Sequence, residues 1–453
     1  MPSALGWYAN CIDPVSAVNL TAFFGCTMSQ ANKIPYGRQS ISEADIQAVV
    51  DVLRSDFLTQ GPVVPAFEQA VASYCHARHG VATSNATAAL HIACLALGLG
   101  PGDWLWTSPI TFVASANCGL YCGAQVDFVD IDPQTFNMSP VALEKKLIAA
   151  KLQGKLPKVV VPVHMCGQPC DMAAIHALSV KYGFKIIEDA SHAIGAKYQG
   201  EPVGNCRYSD ITVFSFHPVK IITTAEGGLA VTNEGPLASK LRLLRSHGIS
   251  STPTDMAPRP TDEIWNYQQI DLGFNYRMTD MQAALGLSQL KQLDSFVAKR
   301  QALARTYDQA LADMPLLTPW QHPDTSSSYH LYPILLPKGH HGPSQRQLYD
   351  ALQKVGIQVN LHYIPVYLQP FYARMGFKAG YCPKAEQYYK SAISIPMYSS
   401  MLNEQQLFVI KNIKNIITKS KKKISSKAVT NKNEYELFNP QGIGLEILSG
   451  ERI

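Results

Sequence analysis

One lysine, Lys220, stands between an apolar run and a series of small and polar residues in the segment FSFHPVKIITTAEGG, residues 214–228. The segment contains no other lysine or arginine. A lysine that follows a buried strand is either an ordinary surface residue or an amine that forms a Schiff base with a carbonyl compound. The spacing alone favours the surface residue, so the choice between the two depends on the other motifs of the chain.

Asp189 ends another apolar run, FKIIEDA. An acid at this position can cap a helix, or it can keep the ring nitrogen of a pyridoxal cofactor protonated so that the ring withdraws electrons. A turn of small residues at Asn85–Thr87 opens a helix whose first N–H groups can bind a phosphate, and Ser215 can add a hydroxyl. Each signal is weak alone. Together they supply the lysine, the acid and the phosphate site that a pyridoxal phosphate enzyme requires.

The elements that must position these residues are predicted by continuous apolar runs rather than alternating ones. Such runs favour strands that are buried on both faces of a mainly parallel sheet. Ligands of open parallel sheets bind beyond the carboxyl ends of the strands, where Asp189 and Lys220 fall. Helical periodicity between the runs predicts an α/β protein, with one helix capped by Ser42 and another starting near Thr87. The four predicted strands are residues 158–165, 184–190, 210–217 and 227–233.

Changes in residue composition and periodicity divide the chain into four parts. Residues 34–290 carry the predicted sheet and form a large cofactor-binding domain. Residues 291–419 predict a smaller C-terminal α+β domain, because two short apolar runs flank one helix-like segment. Residues 1–33 form an N-terminal extension, and residues 420–453 are a polar, lysine-rich tail that we expect to be mobile.

Composition excludes several classes of protein. The formal charge of +5 becomes 5 − 8 = −3 when eight lysines in one acid-free stretch are removed, which argues against a nucleic-acid surface. No apolar run is long enough to cross a bilayer, and the first cation is Lys33, so we predict a cytoplasmic protein without a secretory signal. The pairs Cys118 and Cys122, and Cys166 and Cys170, could share a metal ion by spacing, but buried free thiols are the better interpretation, and we predict no metal site. The eight lysines are Lys411, Lys414, Lys419, Lys421, Lys422, Lys423, Lys427 and Lys432.

Several motifs in order resemble one known family. The chain is similar, over residues 34–418, to the DegT/StrS sugar aminotransferases, which are pyridoxal phosphate enzymes of fold type I, the aspartate aminotransferase fold. The motifs are LTQGP at Leu58, SNATAAL at Ser84, TSPITFVASAN at Thr107, EDASHAIG at Glu188, SFHPVKIITTAEGG at Ser215, GFNYRMTDMQAALGLSQL at Gly273 and LHYIPVY at Leu361.

The resemblance implies a role for each residue of the cofactor site. Lys220 corresponds to the lysine that binds the cofactor covalently and moves the proton during transamination. Asp189 corresponds to the acid on the ring nitrogen, and His192 lies where the family has a residue near the phenolic oxygen. These three are the expected catalytic residues. Phe112 corresponds to the aromatic ring that stacks on the cofactor. The expected phosphate-binding residues are Ala86, Thr87, Ser215 and, from the neighbouring subunit of a homodimer, Asn275.

The resemblance also implies the substrates. Within the family the motifs are most similar to those of the C4 aminotransferases of pseudaminic acid biosynthesis, which implies L-glutamate and a UDP-linked 4-keto-6-deoxy-N-acetylhexosamine. A dTDP-linked keto sugar and a non-catalytic, cofactor-binding regulator are the alternatives, and Lys220 argues against the related dehydratases, which carry histidine there. The role of His217 stays open. The expected sugar-nucleotide residues are Tyr36, Asp56, Phe57, Leu58, Thr59, Ser328, Tyr329, His330 and Leu331.

Overall fold

The computed structural model describes residues 33–258, 263, 265–337, 339 and 342–436 of the 453. The predicted N-terminal extension, apart from Lys33, and the part of the predicted tail after residue 436 lie outside the described residues. The strands are β1 His79–Thr83, β2 Trp104–Thr107, β3 Gln125–Phe128, β4 Val159–Val161, β5 Lys185–Asp189, β6 Lys197–Tyr198, β7 Glu201–Pro202, β8 Ile211–Ser215, β9 Gly228–Thr232, β10 Ile249–Ser250, β11 Gln268–Gln269, β12 Thr325–Ser326, β13 Tyr332–Leu335 and β14 Ala392–Ile395. The α-helices are α1 Glu43–Leu53, α2 Val63–Tyr74, α3 Ala86–Ala96, α4 Ala114–Tyr121, α5 Pro140–Leu152, α6 Met172–Tyr182, α7 Gly235–Arg245, α8 Asp280–Leu290, α9 Leu293–Leu311, α10 Gln345–Lys354, α11 Pro370–Ala373, α12 Pro383–Tyr389 and α13 Asn403–Glu436.

A seven-stranded sheet in the order β1-β9-β8-β5-β4-β2-β3 forms the centre of the larger unit. The pairs from β8 through β5, β4 and β2 to β3 are parallel, as the apolar runs predict. Strand β9 is antiparallel to both of its neighbours, β1 and β8. The direction of β9 is a difference that an apolar run cannot reveal, because burial on both faces is compatible with either direction.

The sheet is buried on both faces, as the continuous apolar runs require. Successive residues of β8 show this, since Val213 packs in one cluster with Ile92 of α3, whereas Phe214 packs in another with Phe67 of α2. All four side chains are fully buried. Side chains alternate between the two faces of a strand, so helices cover both sides and leave the carboxyl edge of the parallel strands for a ligand.

The predicted helix start at Ser42 is confirmed by a capping box. The backbone N–H of Asp45 donates to the Ser42 hydroxyl, and the Asp45 carboxylate accepts from the Ser42 backbone N–H at 2.8 Å. This arrangement satisfies two N–H groups that would otherwise lack partners at the start of α1.

The C-terminal part forms a hydrophobic cluster of its own. Strands β13 and β14 pair antiparallel, and their buried residues pack with those of α9, α10 and α13, for example Tyr307, Leu352 and Val409. Ile34 joins this cluster and pairs with Ile357. Helix α13 continues through residue 420 to Glu436, so the predicted start of the tail is not marked by a helix end.

Within the described part of the chain, no helix is both long and apolar enough to span a membrane. The same described residues contain no group of three or more His, Cys, Asp or Glu side chains placed to hold a metal ion. Cys118, Cys122, Cys166 and Cys170 are buried free thiols.

Candidate active site

A cavity of about 670 Å³ opens where the parallel strands end. Asp189 at the end of β5, Ser215 at the end of β8 and the first residues of α3 all line it. Lys220 faces the same cavity from the segment that follows β8. The sheet topology therefore brings together the lysine, the acid and the phosphate turn that are far apart in the sequence, at the edge where open α/β sheets bind ligands.

The surroundings of Lys220 make its amine easier to deprotonate than that of a surface lysine. Its backbone N–H donates to the carbonyl oxygen of His217 at 2.9 Å. Burial lowers the pKa of Lys220 to about 8, and the carboxylate of Asp189 acts in the opposite direction. A cationic amine that loses water loses its hydration energy, and the neutral form becomes accessible near neutral pH. The neutral amine is the form that attacks a carbonyl group or accepts a proton.

Asp189 lies at the end of β5 and is 4% exposed. Its Oδ2 accepts a hydrogen bond from the hydroxyl of Ser115 at 2.6 Å. Its Oδ1 accepts from the backbone N–H of Ser191 at 3.1 Å. Two donors hold the carboxylate, which still has lone pairs to accept from a ligand.

Two buried histidines and a tyrosine form one wall of the cavity. The rings of His192 and His330 lie 4.4 Å apart, and the hydroxyl of Tyr363 lies 3.3 Å from Nε2 of His192. Burial lowers the pKa values of His192 and His330 far below the ordinary value, and the charge of Lys220 acts in the same direction. Both imidazoles are therefore neutral at physiological pH and can each donate one hydrogen bond and accept another.

The turn at Asn85–Thr87 is shaped as an anion site. The Asn85 side chain caps α3 by accepting from the N–H of Ala88 at 2.9 Å, so the positive end of an 11-residue helix faces the cavity beside Ala86 and Thr87. Gly228 pairs with Ser215 in the sheet, and a Cβ at Gly228 would lie 2.4 Å from the Asn85 carbonyl carbon and 2.5 Å from the Ala86 nitrogen. The missing side chain lets the turn pack directly on the end of β9.

Phe112 lines the cavity although its side chain is 58% exposed. Its ring centroid lies 6.5 Å from that of Tyr363. An exposed aromatic ring at the entrance of a cavity is a surface on which a flat ligand can stack. Tyr36, for which the resemblance implies contact with the sugar nucleotide, also lines the cavity.

Other predicted residues lie outside the lining. Residues 56–59 are exposed, and the Leu58 carbonyl accepts from the N–H of Asp280 at 3.1 Å. Of residues 328–331, His330 alone is among the described lining residues. Ser328 instead donates to the His192 carbonyl at 3.0 Å, Tyr329 packs against the C-terminal cluster, and Leu331 is a core residue. Asn275 is exposed and pairs with Ser246, so it does not reach the cavity of its own chain.

The structure adds lining residues that were not predicted individually. Four of them come from the LHYIPVY motif and the residue before it, namely Asn360, Leu361, His362 and Tyr363. The Nδ1 of His362 lies 2.9 Å from the Ser394 hydroxyl, and burial lowers the pKa of His362 to about 4. The LHYIPVY motif was the one sequence signal for these lining residues, because it is among the motifs that the chain shares with the family. His217 also lines the cavity.

The donor set fits pyridoxal phosphate. An amine with a lowered pKa, a buried carboxylate with free lone pairs and a helix start match the aldehyde, the ring nitrogen and the phosphate of this cofactor, and the cavity has the size of a small-molecule site. The fold and this site together fit a pyridoxal phosphate-dependent enzyme of fold type I.

The comparison with known proteins narrows this class. Residues 39–414 match the DegT/DnrJ/EryC1/StrS aminotransferase family, and the chain belongs to that family. The spore coat polysaccharide biosynthesis protein SpsC of Bacillus subtilis is 37% identical over 387 residues, which cover 85% of this chain and 97% of SpsC. The UDP-4-amino-4,6-dideoxy-N-acetyl-beta-L-altrosamine transaminase of Campylobacter jejuni is 37% identical over 391 residues, which cover 86% of this chain and 99% of that protein.

Solved structures agree with this assignment. Helicobacter pylori PseC, an aminotransferase involved in the biosynthesis of pseudoaminic acid, superposes with a TM-score of 0.78 at 31% identity, covering 85% of this chain and all of PseC. The PLP-form of Spr1654 from Streptococcus pneumoniae has a TM-score of 0.76 at 29% identity, covering 86% of this chain and 99% of Spr1654. The predicted fold, the predicted class of nucleotide-sugar aminotransferase and the predicted cofactor are confirmed.

Proposed function

We propose that this enzyme transfers an amino group from L-glutamate to the C4 ketone of a UDP-linked 4-keto-6-deoxy-N-acetylhexosamine, as a step of pseudaminic acid biosynthesis. The observation that carries the proposal is the position of Lys220 in one cavity with Asp189 and the start of α3. When bound, pyridoxal phosphate carries the amino group from one substrate to the other and withdraws electrons from the carbon that loses a proton.

Lys220 holds the cofactor and moves the proton. With a pKa of about 8, its amine is neutral often enough near pH 7 to accept a proton at Nζ from the substrate carbon and return it. Asp189, which has donors on both oxygens, accepts from the ring nitrogen. Neutral His192 donates to or accepts from the phenolic oxygen without adding positive charge beside Lys220.

A homodimer completes the site in this proposal. Lys220 is the only lysine or arginine among the described residues that line the cavity. The cofactor phosphate and the diphosphate of a nucleotide sugar present many acceptor oxygens, and one lysine engaged with the cofactor does not supply enough hydrogen-bond donors for them. We propose that Asn275, which is exposed and lies outside the cavity of its own chain, reaches the phosphate in the neighbouring subunit. The exposed segment at residues 56–59 is proposed to contact the sugar nucleotide.

Two comparisons support the particular sugar. The Helicobacter pylori protein is described as an aminotransferase involved in the biosynthesis of pseudoaminic acid, and the Campylobacter jejuni protein is named as a transaminase of a UDP-linked 4-amino-4,6-dideoxy sugar. Each match covers at least 85% of this chain. SpsC, named for a spore coat polysaccharide, is as similar in sequence, so another nucleotide-linked keto sugar is the alternative substrate. We place the reaction in the cytoplasm, where glutamate and nucleotide sugars are available.

The test is an assay of UDP- and dTDP-linked 4-keto-6-deoxy sugars with L-glutamate, with the product configuration at C4 read by NMR. We expect the UDP-linked N-acetylhexosamine to have the highest kcat/KM. A clear preference for a dTDP-linked sugar would contradict the substrate proposal. Lys220→Ala should abolish turnover with every sugar, whereas Lys158→Ala, which removes a surface ion pair with Asp103, should not.

A further inference from the structure

A buried serine holds the acid of the cofactor site. Ser115 lies in the first turn of α4 and is fully buried. Its hydroxyl lies 2.6 Å from Oδ2 of Asp189, and it lies 3.3 Å from the carbonyl oxygen of Phe112. An ionised carboxylate can only accept. The contact to the charged acceptor is also the shorter one, so the Ser115 proton points to Asp189.

A second hydroxyl supports the first. Thr111 lines the cavity, is 3% exposed, and has its Oγ1 2.7 Å from the Ser115 hydroxyl. The single proton of Ser115 is given to Asp189, so Thr111 must be the donor in its contact with Ser115. The direction of all hydrogen bonds is thereby fixed, from Thr111 to Ser115 and from Ser115 to Asp189. Such a chain strengthens each of its members in a low-dielectric interior.

We propose that Thr111 and Ser115 form a hydrogen-bond relay that positions the Asp189 carboxylate for the ring nitrogen of pyridoxal phosphate. This inference rests on the proposed role of Asp189. Phe112, the expected stacking ring, lies between the two relay residues in the chain, so one turn fixes both the ring and the acid. Thr111 and Ser115 are positioning residues, since they act through Asp189.

The test compares variants of the holoenzyme. Ser115→Ala removes the donor to Asp189, and Thr111→Val removes the second donor while keeping the shape of the side chain. Ser115→Thr keeps the hydroxyl. Thr107→Val is the matched control, because the Thr107 hydroxyl is equally buried on β2 but donates to the Val161 carbonyl at 2.8 Å.

Two readouts separate positioning from a merely structural role. The first is the split between kcat and KM, and the second is the pH titration of the ring nitrogen in bound, 15N-labelled pyridoxal phosphate. We expect Ser115→Ala to lower kcat about tenfold, which is about 1.4 kcal/mol, with the KM for glutamate unchanged. The ring-nitrogen midpoint should move to lower pH by about one unit. Thr111→Val should show a smaller change in the same direction, about threefold in kcat, and Ser115→Thr and Thr107→Val should match the wild type.

An unchanged nitrogen titration in Ser115→Ala would overturn the relay, whatever the stability of the variant. If Ser115→Ala does not fold, Thr111→Val takes its place in the test. A ring-nitrogen titration of Thr111→Val that equals that of Thr107→Val would refute the inference. A wild-type protein that forms no covalent link between Lys220 and the cofactor would instead refute the proposed function. That result is obtained before any variant is made.

Discussion

Gly228 offers a direct test of how the proposed phosphate site is built. In Gly228→Ala the new Cβ would lie 2.4 Å from the Asn85 carbonyl carbon and 2.5 Å from the Ala86 nitrogen. Carbon atoms in favourable contact are about 3.5–4.0 Å apart, so the two segments would have to separate by about 1 Å. Both contacts are with backbone atoms, so no side-chain rotation can relieve them. We therefore expect the start of α3 to be displaced from the end of β9.

The size of the effect follows from this displacement. Inserting one methyl group into a close-packed site costs about 1–3 kcal/mol, and we expect the free energy of unfolding of the apoprotein to fall by about 2 kcal/mol. The shifted N–H groups no longer meet the phosphate in the original geometry, so the Kd for pyridoxal phosphate should rise at least about tenfold, which is about 1.4 kcal/mol.

The assay combines urea unfolding of the apoprotein with an absorbance titration of the cofactor. Gly100→Ala is the control, because a Cβ there meets no atom within 4 Å, and it should leave both quantities within about 0.5 kcal/mol of the wild type. A Gly228→Ala protein with the wild-type unfolding midpoint and the wild-type cofactor affinity would refute the assignment of this turn as the phosphate site.

Three further predictions concern charge and assembly. The rate at which the apoprotein captures pyridoxal phosphate should rise with pH to a plateau, because the neutral amine of Lys220 reacts. The midpoint of this rise should lie near the Lys220 pKa of about 8. Asp189→Asn should move the midpoint to lower pH, and an unchanged midpoint in this variant would contradict the prediction. Arg300 is 1% exposed and donates to the carbonyls of Tyr329, His330 and Met397, so Arg300→Met should lower the free energy of unfolding by about 3 kcal/mol in urea; a loss below about 0.5 kcal/mol would show that these bonds contribute little. Asn275→Ala should weaken cofactor retention in the dimer, measured by dialysis and sedimentation, and an active wild-type monomer at high dilution would contradict the shared site.

The sequence predicted the parts of the site that depend on local pattern. The strands that end in Asp189 and Ser215 are continuous apolar runs, and their burial on both faces is the physical cause of that pattern. The turn at Asn85–Thr87 was visible because small residues and a capping asparagine precede a helix. Lys220 became interpretable once the carboxyl ends of parallel strands were expected to share one edge.

The remaining features depend on contacts between distant segments. The relay from Ser115 to Asp189 joins residues 74 positions apart. No periodicity in the local sequence predicts such a contact. Gly228 looks like an ordinary turn residue until β9 is seen to lie against the start of α3. His362 lines the cavity because its neighbours Leu361, Tyr363 and Val366 pack in the same cluster as residues of the large sheet. The predicted roles of residues 56–59 and Asn275 stay predictions, since each requires a ligand or a second subunit.

We propose that the cofactor held by Lys220 accepts the amino group of glutamate, and one half-reaction tests this proposal most directly. Holoenzyme is mixed with L-glutamate without any sugar, and the 2-oxoglutarate released is counted per chain. We expect about one equivalent per bound cofactor, and none from Lys220→Ala loaded with the same cofactor. Release of 2-oxoglutarate by Lys220→Ala at the wild-type rate, or no release by a wild-type protein that holds pyridoxal phosphate, would contradict it.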